Sequence, residues 1–295
     1  MSRTTGWKDG AMSRVWFTSA LFASLAVIFI LGYLLITALP IFMEEGPGFI
    51  FGTEWNPTGV NPSYGIGALI IGTLLVTAGA MLFSVPLGLL TAIFLAYVAP
   101  KKLRDTVKPA VELLAGIPSV VYGFFGMVVL CSTLQKILDI PSGFSWAAAS
   151  ILLGIMALPT IISVSEDALT AVPKDFRDAS LGLGATRFQT ISRVLLPAAA
   201  SGISAAVVLG MGRAIGETMA VMMVAGNSAV IPSPLWDILS PIRTLTATLG
   251  IELAEVSTGS MHYYALFGIA VVLLIITLAV NLASRFITKR IETGK

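Results

Sequence analysis

Two charged residues, Arg213 and Glu217, lie inside an apolar run that extends from about residue 202 to residue 225. At 1.5 Å per helical residue, Arg213 falls roughly 17 Å along this run, near the centre of a bilayer core about 30 Å thick. Placing an arginine there costs at least about 2.5–3.5 kcal/mol, and charges at that depth are typical of solute pathways. The sequence therefore predicts a polar path through a membrane. The alternative is a structural ion pair that joins two helices.

Spacing and glycine content support the path. Glu217 follows Arg213 by four residues, so a continuous helix places both charges on one face. Gly210, Gly212 and Gly216 leave that face almost free of side chains. Neighbouring backbone or a solute can approach such a surface closely.

The composition indicates a polytopic membrane protein. The 295 residues are 56% hydrophobic and only 12% charged, with a mean hydropathy of +0.90. A soluble chain of this length needs more charge to cover its surface. Cys131 and His262 are single residues of their types, which excludes an intrachain disulfide and any multi-cysteine or multi-histidine metal site.

Six apolar segments are predicted to cross the membrane, so the expected fold class is all-α integral membrane. They lie at about residues 15–39, 66–98, 111–134, 146–164, 202–225 and 263–283. The expected divisions are a cytoplasmic tail (1–14), a first transmembrane helix (15–39), an external loop (40–65), a transmembrane core (66–287) and a second cytoplasmic tail (288–295). The core includes a cytoplasmic loop at 165–197 and an external loop at 226–262.

The basic residues predict the orientation of these segments. Of the 18 Lys and Arg residues, 15 lie in the segments assigned to the inside, and only Lys136 and Arg243 lie outside. This bias follows the positive-inside rule and places both termini in the cytoplasm.

The long internal loop carries two predicted short helices. Pro173 begins the first, Gly184 ends it, and the second stops before Pro197. Apolar side chains on this charged loop need either a partner surface or the cytoplasmic ends of the chain's own helices. They are Phe176, Leu181, Leu183 and Phe188.

A spaced pattern in this loop carries a family resemblance. Its members are Asp178, Ala179, Ser180, Gly184, Val194, Leu196 and Pro197. The pattern resembles the EAA loop of ABC importer permeases, with Asp in place of Glu, Ser in place of the second Ala, and Val in place of Ile. The resemblance implies that the loop docks into a separate ATPase subunit. The implied coupling residues are Asp178, Ala179, Ser180, Gly184, Arg187 and Pro197.

Other runs extend the resemblance over nearly the whole chain, from about residue 55 to residue 285. Residues 213–218 read R-A-I-G-E-T, residues 115–123 read A-G-I-P-S-V-V-Y-G, and residues 235–239 and 243–246 read L-W-D-I-L and R-T-L-T. These runs resemble the permeases of the phosphate-specific ABC importer. Asn227 and the Trp55-Asn56-Pro57 run resemble its PstC-type subunit.

The resemblance implies a type I ABC importer permease fold and phosphate import by alternating access in a bacterial plasma membrane. The implied partners are a second permease (PstA type), a dimer of ATPase subunits (PstB type) and an external phosphate-binding protein (PstS type). No G-x-x-x-x-G-K-[ST] run occurs in the chain, so ATP and Mg²⁺ belong to the ATPase, and we expect no cofactor here. We expect a transport subunit in lipid, not an enzyme, with no nucleic-acid partner.

The expected substrate path contains Arg213, Glu217, Thr218, Asn227, Gly212 and Gly216. Arg213 offers a planar fork of donors to phosphate oxygens. Glu217 could hold Arg213 or accept a hydrogen from the phosphate. The alternatives are another oxyanion such as sulfate or molybdate, a stand-alone secondary anion transporter, and an intramembrane enzyme.

Overall fold

The computed structural model describes the backbone of residues 4–293 and the side chains of residues 12–283 and 286. The regular secondary structure of the described residues is helical apart from one short antiparallel hairpin, β1 (Trp55–Asn56) with β2 (Ser63–Tyr64), and an isolated bridge between Gly226 and Ile242. The helices are α1 (Thr4–Glu44), α2 (Pro47–Phe51), α3 (Gly67–Ile93), α4 (Lys101–Ala115), α5 (Ser119–Phe125), α6 (Ser132–Leu138), α7 (Trp146–Thr170), α8 (Lys174–Gly182), α9 (Arg187–Thr190), α10 (Leu196–Ala198), α11 (Ala200–Gly216), α12 (Met219–Val224), α13 (Leu245–Glu252) and α14 (Met261–Thr293). Wider π-type turns at Phe94–Val98, Gly126–Cys131 and Ile191–Leu195 continue α3, join α5 to α6, and join α9 to α10.

Five described helical segments are long and apolar enough to cross a membrane. They are Met12–Glu44, Gly67–Val98, Ser119–Leu138, Trp146–Thr170 and Met261–Ala283. A bent pair, Arg187–Ala198 with Ala200–Gly216, raises the number to six if it counts as one span, and its two arms meet at 70°.

The third span begins later than the apolar pattern predicts, at residue 119 instead of residue 111. The difference arises because α4 is a separate helix with charged residues in its first half. The α4 helix ends at Ala115, just before Gly116 and Pro118. A proline disfavours helical backbone at the residue before it, so the helix cannot easily continue. An apolar run thus divides into the end of a surface helix and the start of a span.

The core lies between α3 and α7, which pack along their lengths and are joined by α11 and α12. Small residues make this close approach possible. A Cβ atom on Gly88 or Gly210 would lie 2.7 Å from the Ile161 side chain, and one on Gly154 would lie 2.7 Å from Phe83. A second core lies where α1 packs against α14.

The start of α13 and the residues just before it are held against α3. The Leu245 amide donates to Thr73 Oγ1 at 3.0 Å. The Arg243 carbonyl lies so close to Gly72 that a Cβ atom there would collide with it. Gly72 therefore permits an approach of two backbones that a larger residue would prevent.

Candidate functional site

Arg213 lies one turn before the end of α11. Its side chain is half-buried, and its Nη2 atom donates to the carbonyl oxygen of Ala115 at 3.5 Å. Ala115 is the last residue of α4, so the guanidinium contacts the junction that leads to the third span. No carboxylate pairs with Arg213 among the side chains that the structure describes. Most of the five guanidinium N–H groups therefore remain available to a ligand.

Glu217 does not share a helix face with Arg213, and the prediction from the four-residue spacing was wrong. The α11 helix ends at Gly216, and Glu217 has an extended backbone with φ −73° and ψ 125°. Glu217 Oε1 accepts a hydrogen bond from the Ala220 amide at 3.2 Å, in the first turn of α12. Glycine weakens a helix, and a carboxylate satisfies an unpaired amide at a helix start, so both residues favour the break.

The break leaves open space beside Arg213, as the glycines predict. A Cβ atom on Gly212 or Gly216 would meet no other atom within 4 Å. Gly210 differs, because it packs against Ile161 of α7. Two of the three glycines therefore shape an open surface, and the third allows α11 to approach α7.

The α13 helix covers the other side of the break. Thr246 Oγ1 donates to the Glu217 carbonyl at 2.9 Å. A Cβ atom on Gly250 would lie 2.7 Å from Thr218 Cγ2, so these two segments are in close contact. The Thr218 hydroxyl itself reaches the Gly216 carbonyl at 3.5 Å. This packing couples the position of Glu217 to the external loop that carries α13.

Asn227 lies in the loop at residues 226–262, which is predicted to be external. It follows α12 in left-handed backbone, with φ 54°, a conformation that asparagine tolerates better than most residues. Its Nδ2 atom donates to the Met222 carbonyl at 2.7 Å, and its carbonyl accepts from Arg243 Nε at 3.0 Å. Its described contacts thus lead to Arg243 and not to Arg213.

Four residues form a cluster, named here the external cluster, that was not predicted as a site: Trp55, Arg243, Glu252 and His262. The Glu252 carboxylate is the shared acceptor, with Oε1 2.6 Å from Arg243 Nη1 and Oε2 2.8 Å from His262 Nε2. Trp55 Nε1 lies 3.2 Å from both oxygens. The cluster joins the two loops predicted to be external, at residues 40–65 and 226–262, to the start of α14.

A cavity of about 420 Å³ opens beside the external cluster, and Asn56, Pro57, Thr58 and Glu255 complete its lining. The sequence marks Arg243 as an isolated arginine in an acidic loop and His262 as a single histidine, and Trp55 and Arg243 lie in runs that carry the family resemblance. The fold brings Trp55 into contact with Glu252, which is nearly 200 residues away in the chain. Local spacing therefore could not predict the cluster.

The coupling residues occupy the predicted helix-turn-helix. The α8 helix begins after Pro173 and carries Asp178 and Ala179 on its exposed surface. Gly184 has φ +85°, which confirms a left-handed turn after this helix. Ser180 Oγ lies 3.0 Å from Thr190 Oγ1 and links the two short helices.

The second short helix was predicted to stop before Pro197, and this prediction was wrong. The helical segment continues to Ala198. Within this segment, the π-type turn at Ile191–Leu195 lies between α9 and α10, and α10 begins at Leu196. Pro197 is thus in the first turn of α10, where a missing amide is tolerated. The chain bends only after this turn. Arg187 opens the preceding segment, where Thr186 caps α9.

Apolar side chains of the coupling loop project away from the protein. Leu183 is 90% exposed and Phe188 is 78% exposed. Phe176 is also exposed, and Leu181 is only partly buried. Leu183, Phe188 and Phe176 therefore do not pack on the described helix ends and form a surface suited to a partner. Leu181 instead lines a small pocket with Tyr97 and Leu195.

The family model and the similar sequences all belong to transport permeases. Residues 84–293 match the model of the binding-protein-dependent transport system inner membrane component. A probable ABC transporter permease, YqgH of Bacillus subtilis, is 40% identical and covers 91% of this chain and 86% of its own. The phosphate transport system permease PstC of Mesorhizobium japonicum is 33% identical over 97% of this chain and 94% of its own.

Solved structures support the fold alone, because their identities are low. A bacterial alginate ABC transporter in complex with its periplasmic protein is 19% identical, with a TM-score of 0.63 over 97% of this chain and 98% of the other. The inward-facing MetNI methionine ABC transporter is 21% identical, with a TM-score of 0.57 over 75% of this chain and 93% of the other. The chain belongs to the family of binding-protein-dependent transport system inner membrane components and is an ABC importer permease subunit related to PstC, without an ATPase of its own.

Proposed function

We propose that the chain is the PstC-type permease of an importer that moves inorganic phosphate into the cytoplasm. The observation that carries this proposal is the position of Arg213. The cation lies beside open glycine surface, with the Ala115 carbonyl as its protein partner among the described residues. Burying a phosphate anion is costly unless positive charge meets it, and Arg213 supplies that charge.

A transport path must not hold its solute too tightly. A single arginine offers a charge-assisted and bidentate contact, whereas several cations together would retain the anion. Glu217 limits the affinity further by its negative charge, and its contact with α12 holds it out of reach of an ion pair in this conformation. We assign Thr218 and Asn227 as neutral groups at the external end of the path.

The proposed topology has six spans and cytoplasmic termini. It counts the bent pair as one span, and the positive-inside distribution of Lys and Arg supports it. The proposed partners are a PstA-type permease on the open face of α11, a PstB-type ATPase dimer on the coupling loop and a PstS-type binding protein outside. ATP and Mg²⁺ belong to the ATPase subunits.

Uptake of labelled phosphate into proteoliposomes tests this function. The vesicles contain this chain, the second permease and the ATPase, with binding protein outside and ATP inside. We expect ATP-dependent uptake that Arg213→Ala abolishes and Arg213→Lys restores only partly, since lysine keeps the charge and loses the planar fork. Lys136→Ala removes the same charge from an exposed external position and should leave uptake unchanged.

Competition by other tetrahedral oxyanions tests the substrate. Excess sulfate or molybdate outside should leave phosphate uptake unchanged, and preferential uptake of either would assign the chain to that oxyanion. Uptake by this chain alone without ATP would instead indicate a secondary transporter.

A further inference from the structure

We propose that α4 is a lever that transmits movement of the coupling loop to Arg213, and that Glu166 on α7 is the positioning residue that fastens it. The role of Arg213 rests on the proposed function. The mechanical link rests on contacts at the two ends of α4, which are independent of the identity of the solute.

The cytoplasmic end of the lever is an ionic cluster, named here the Glu166 cluster: Arg104, Lys108, Glu166 and Asp167. The Glu166 side chain is only 1% exposed, although it lies near the cytoplasmic end of α7. Lys108 Nζ lies 2.6 Å from Glu166 Oε2, and Arg104 pairs with the other oxygen. Lys108 also pairs with the exposed Asp167.

The spacing of the two cations explains how α4 is held. Arg104 and Lys108 are four residues apart, so both extend from the same face of α4 and hold one carboxylate between them. A buried carboxylate deprived of its partners is strongly unfavourable. Any movement of this end of α7 therefore carries α4 with it, since sliding between the helices would leave Glu166 unpaired.

The cluster lies close to the coupling loop in the chain. The α7 helix ends at Thr170, and α8 begins at Lys174 after a turn of three residues. The Leu169 carbonyl is held by the Tyr97 hydroxyl at 2.7 Å, which ties the same helix end to the extension of α3. A displacement of α8 by an ATPase thus reaches the Glu166 cluster through a very short connection.

The other end of the lever reaches the substrate path. The Ala115 carbonyl, at the last residue of α4, accepts from Arg213. The neighbouring Leu114 carbonyl accepts from the Tyr122 hydroxyl at 2.9 Å, which joins α4 to α5. Lys108 and Ala115 are about 10 Å apart along the helix axis, so one short continuous helix, with Pro109 in its interior, connects the cluster to the guanidinium.

A cysteine reporter at the path end of α4 tests the lever. The reporter is Gly116→Cys in a Cys131→Ser background, because Cys131 is the only cysteine of the chain. Gly116 is exposed, with φ −82° and ψ −9°, a backbone that other residues adopt. The complete complex with ATPase and second permease is labelled by a water-soluble maleimide, with and without ATP and vanadate, and ATP hydrolysis is measured in parallel.

We expect trapping with ATP and vanadate to change the labelling rate about fivefold or more in the reporter chain. Glu166→Gln should abolish this change while ATP hydrolysis continues. Asp105→Asn removes a carboxylate from an exposed position on the same helix, where the described residues give it no partner, and should keep the change. A purely structural role of Glu166 would instead lower assembly and hydrolysis together and leave the response of assembled complexes intact.

Two results would overturn the lever: no ATP-dependent change in the reporter chain, or a full change in the assembled Glu166→Gln variant. If that variant fails to assemble, the triple variant Arg104→Gln, Lys108→Gln, Glu166→Met removes the buried charge together with its partners and carries the same test. The labelling needs no phosphate, so failure of phosphate uptake in the parent would refute the proposed function separately.

Discussion

Arg243 and Glu252 form an ion pair in which Nη1 and Oε1 are 2.6 Å apart, with only 18% and 15% of the two side chains exposed. The Arg243 Nε atom extends the link to the carbonyl of Asn227. Trp55 and His262 contact the same carboxylate from two further segments. Glu252 therefore holds the two loops together at the end of α13, the helix whose Thr246 contacts the Glu217 carbonyl.

Glu252→Gln should destabilise the external side of the protein. The substitution keeps the shape of the side chain but removes the charge from hydrogen bonds worth about 1.5–3 kcal/mol each. We expect a loss of about 2 kcal/mol, visible as a lower melting temperature of the purified complex in detergent. Glu255→Gln neutralises an exposed carboxylate in the same loop and should leave the melting temperature unchanged. Equal melting of both variants would contradict a structural role of the ion pair.

Substitutions of Glu217 should separate helix capping from charge. Glu217→Gln keeps an oxygen that can accept from the Ala220 amide, so we expect it to preserve the stability of the parent. Glu217→Ala leaves that amide unpaired and should cost about 1 kcal/mol, as measured by thermal unfolding. If the two variants are equally destabilised, the negative charge rather than the hydrogen bond stabilises the break.

The sequence predicts the parts of this molecule that depend on local pattern. Apolar length identifies the spans, and Gly184 identifies the end of α8. The relation between Arg213 and Glu217 was not predictable from spacing. The Glu217 carboxylate can pair with Arg213 in a continuous helix or accept from the Ala220 amide after a break, and the structure has the second arrangement. The external cluster and the Glu166 cluster depend on contacts between helices far apart in the chain, and residue type alone does not indicate which charges will meet.

Gly72→Ala should disturb the external loop through a backbone collision. The added methyl group would collide with the Arg243 carbonyl, and neither backbone can move without disturbing the hydrogen bond between Leu245 and Thr73. We expect a destabilisation of about 1–3 kcal/mol in thermal unfolding. Gly32→Ala in α1 is the matched control, because a Cβ atom there meets nothing within 4 Å. It should stabilise the protein by about 0.5–1 kcal/mol, and a similar gain at Gly72 would disprove the collision.

Leu183→Ser should weaken binding of the ATPase without destabilising the permease. The leucine is almost fully exposed on the coupling loop, so its loss removes no internal packing. We expect less ATPase to co-purify with the variant, whereas the melting temperature of the isolated permease stays that of the parent. Val60→Ser, on the external side, removes an equally exposed apolar side chain and should retain the full amount of ATPase. Normal co-purification of the Leu183 variant would place the docking contact elsewhere.

The stability of the complex at alkaline pH should depend on Lys108. Burial acts to lower the pKa of this ammonium, but hydrogen bonds and negative charge from Asp167 and Glu166 outweigh it, so the pKa is raised above its ordinary value of 10.5. A raised pKa in the folded state means that the stabilising contribution is complete below 10.5 and is lost as the pH rises through the folded-state pKa.

Lys108→Arg provides the control for this pH dependence, because arginine stays protonated above pH 12. Melting temperatures of the parent and the variant should follow the same course from pH 7 to about pH 10 and separate above it, with the variant falling less. Tyrosines and other lysines titrate in both proteins, so the difference between the two curves reports the Glu166 cluster. Parallel curves over the whole range would show that the ammonium of Lys108 does not hold α4 to α7.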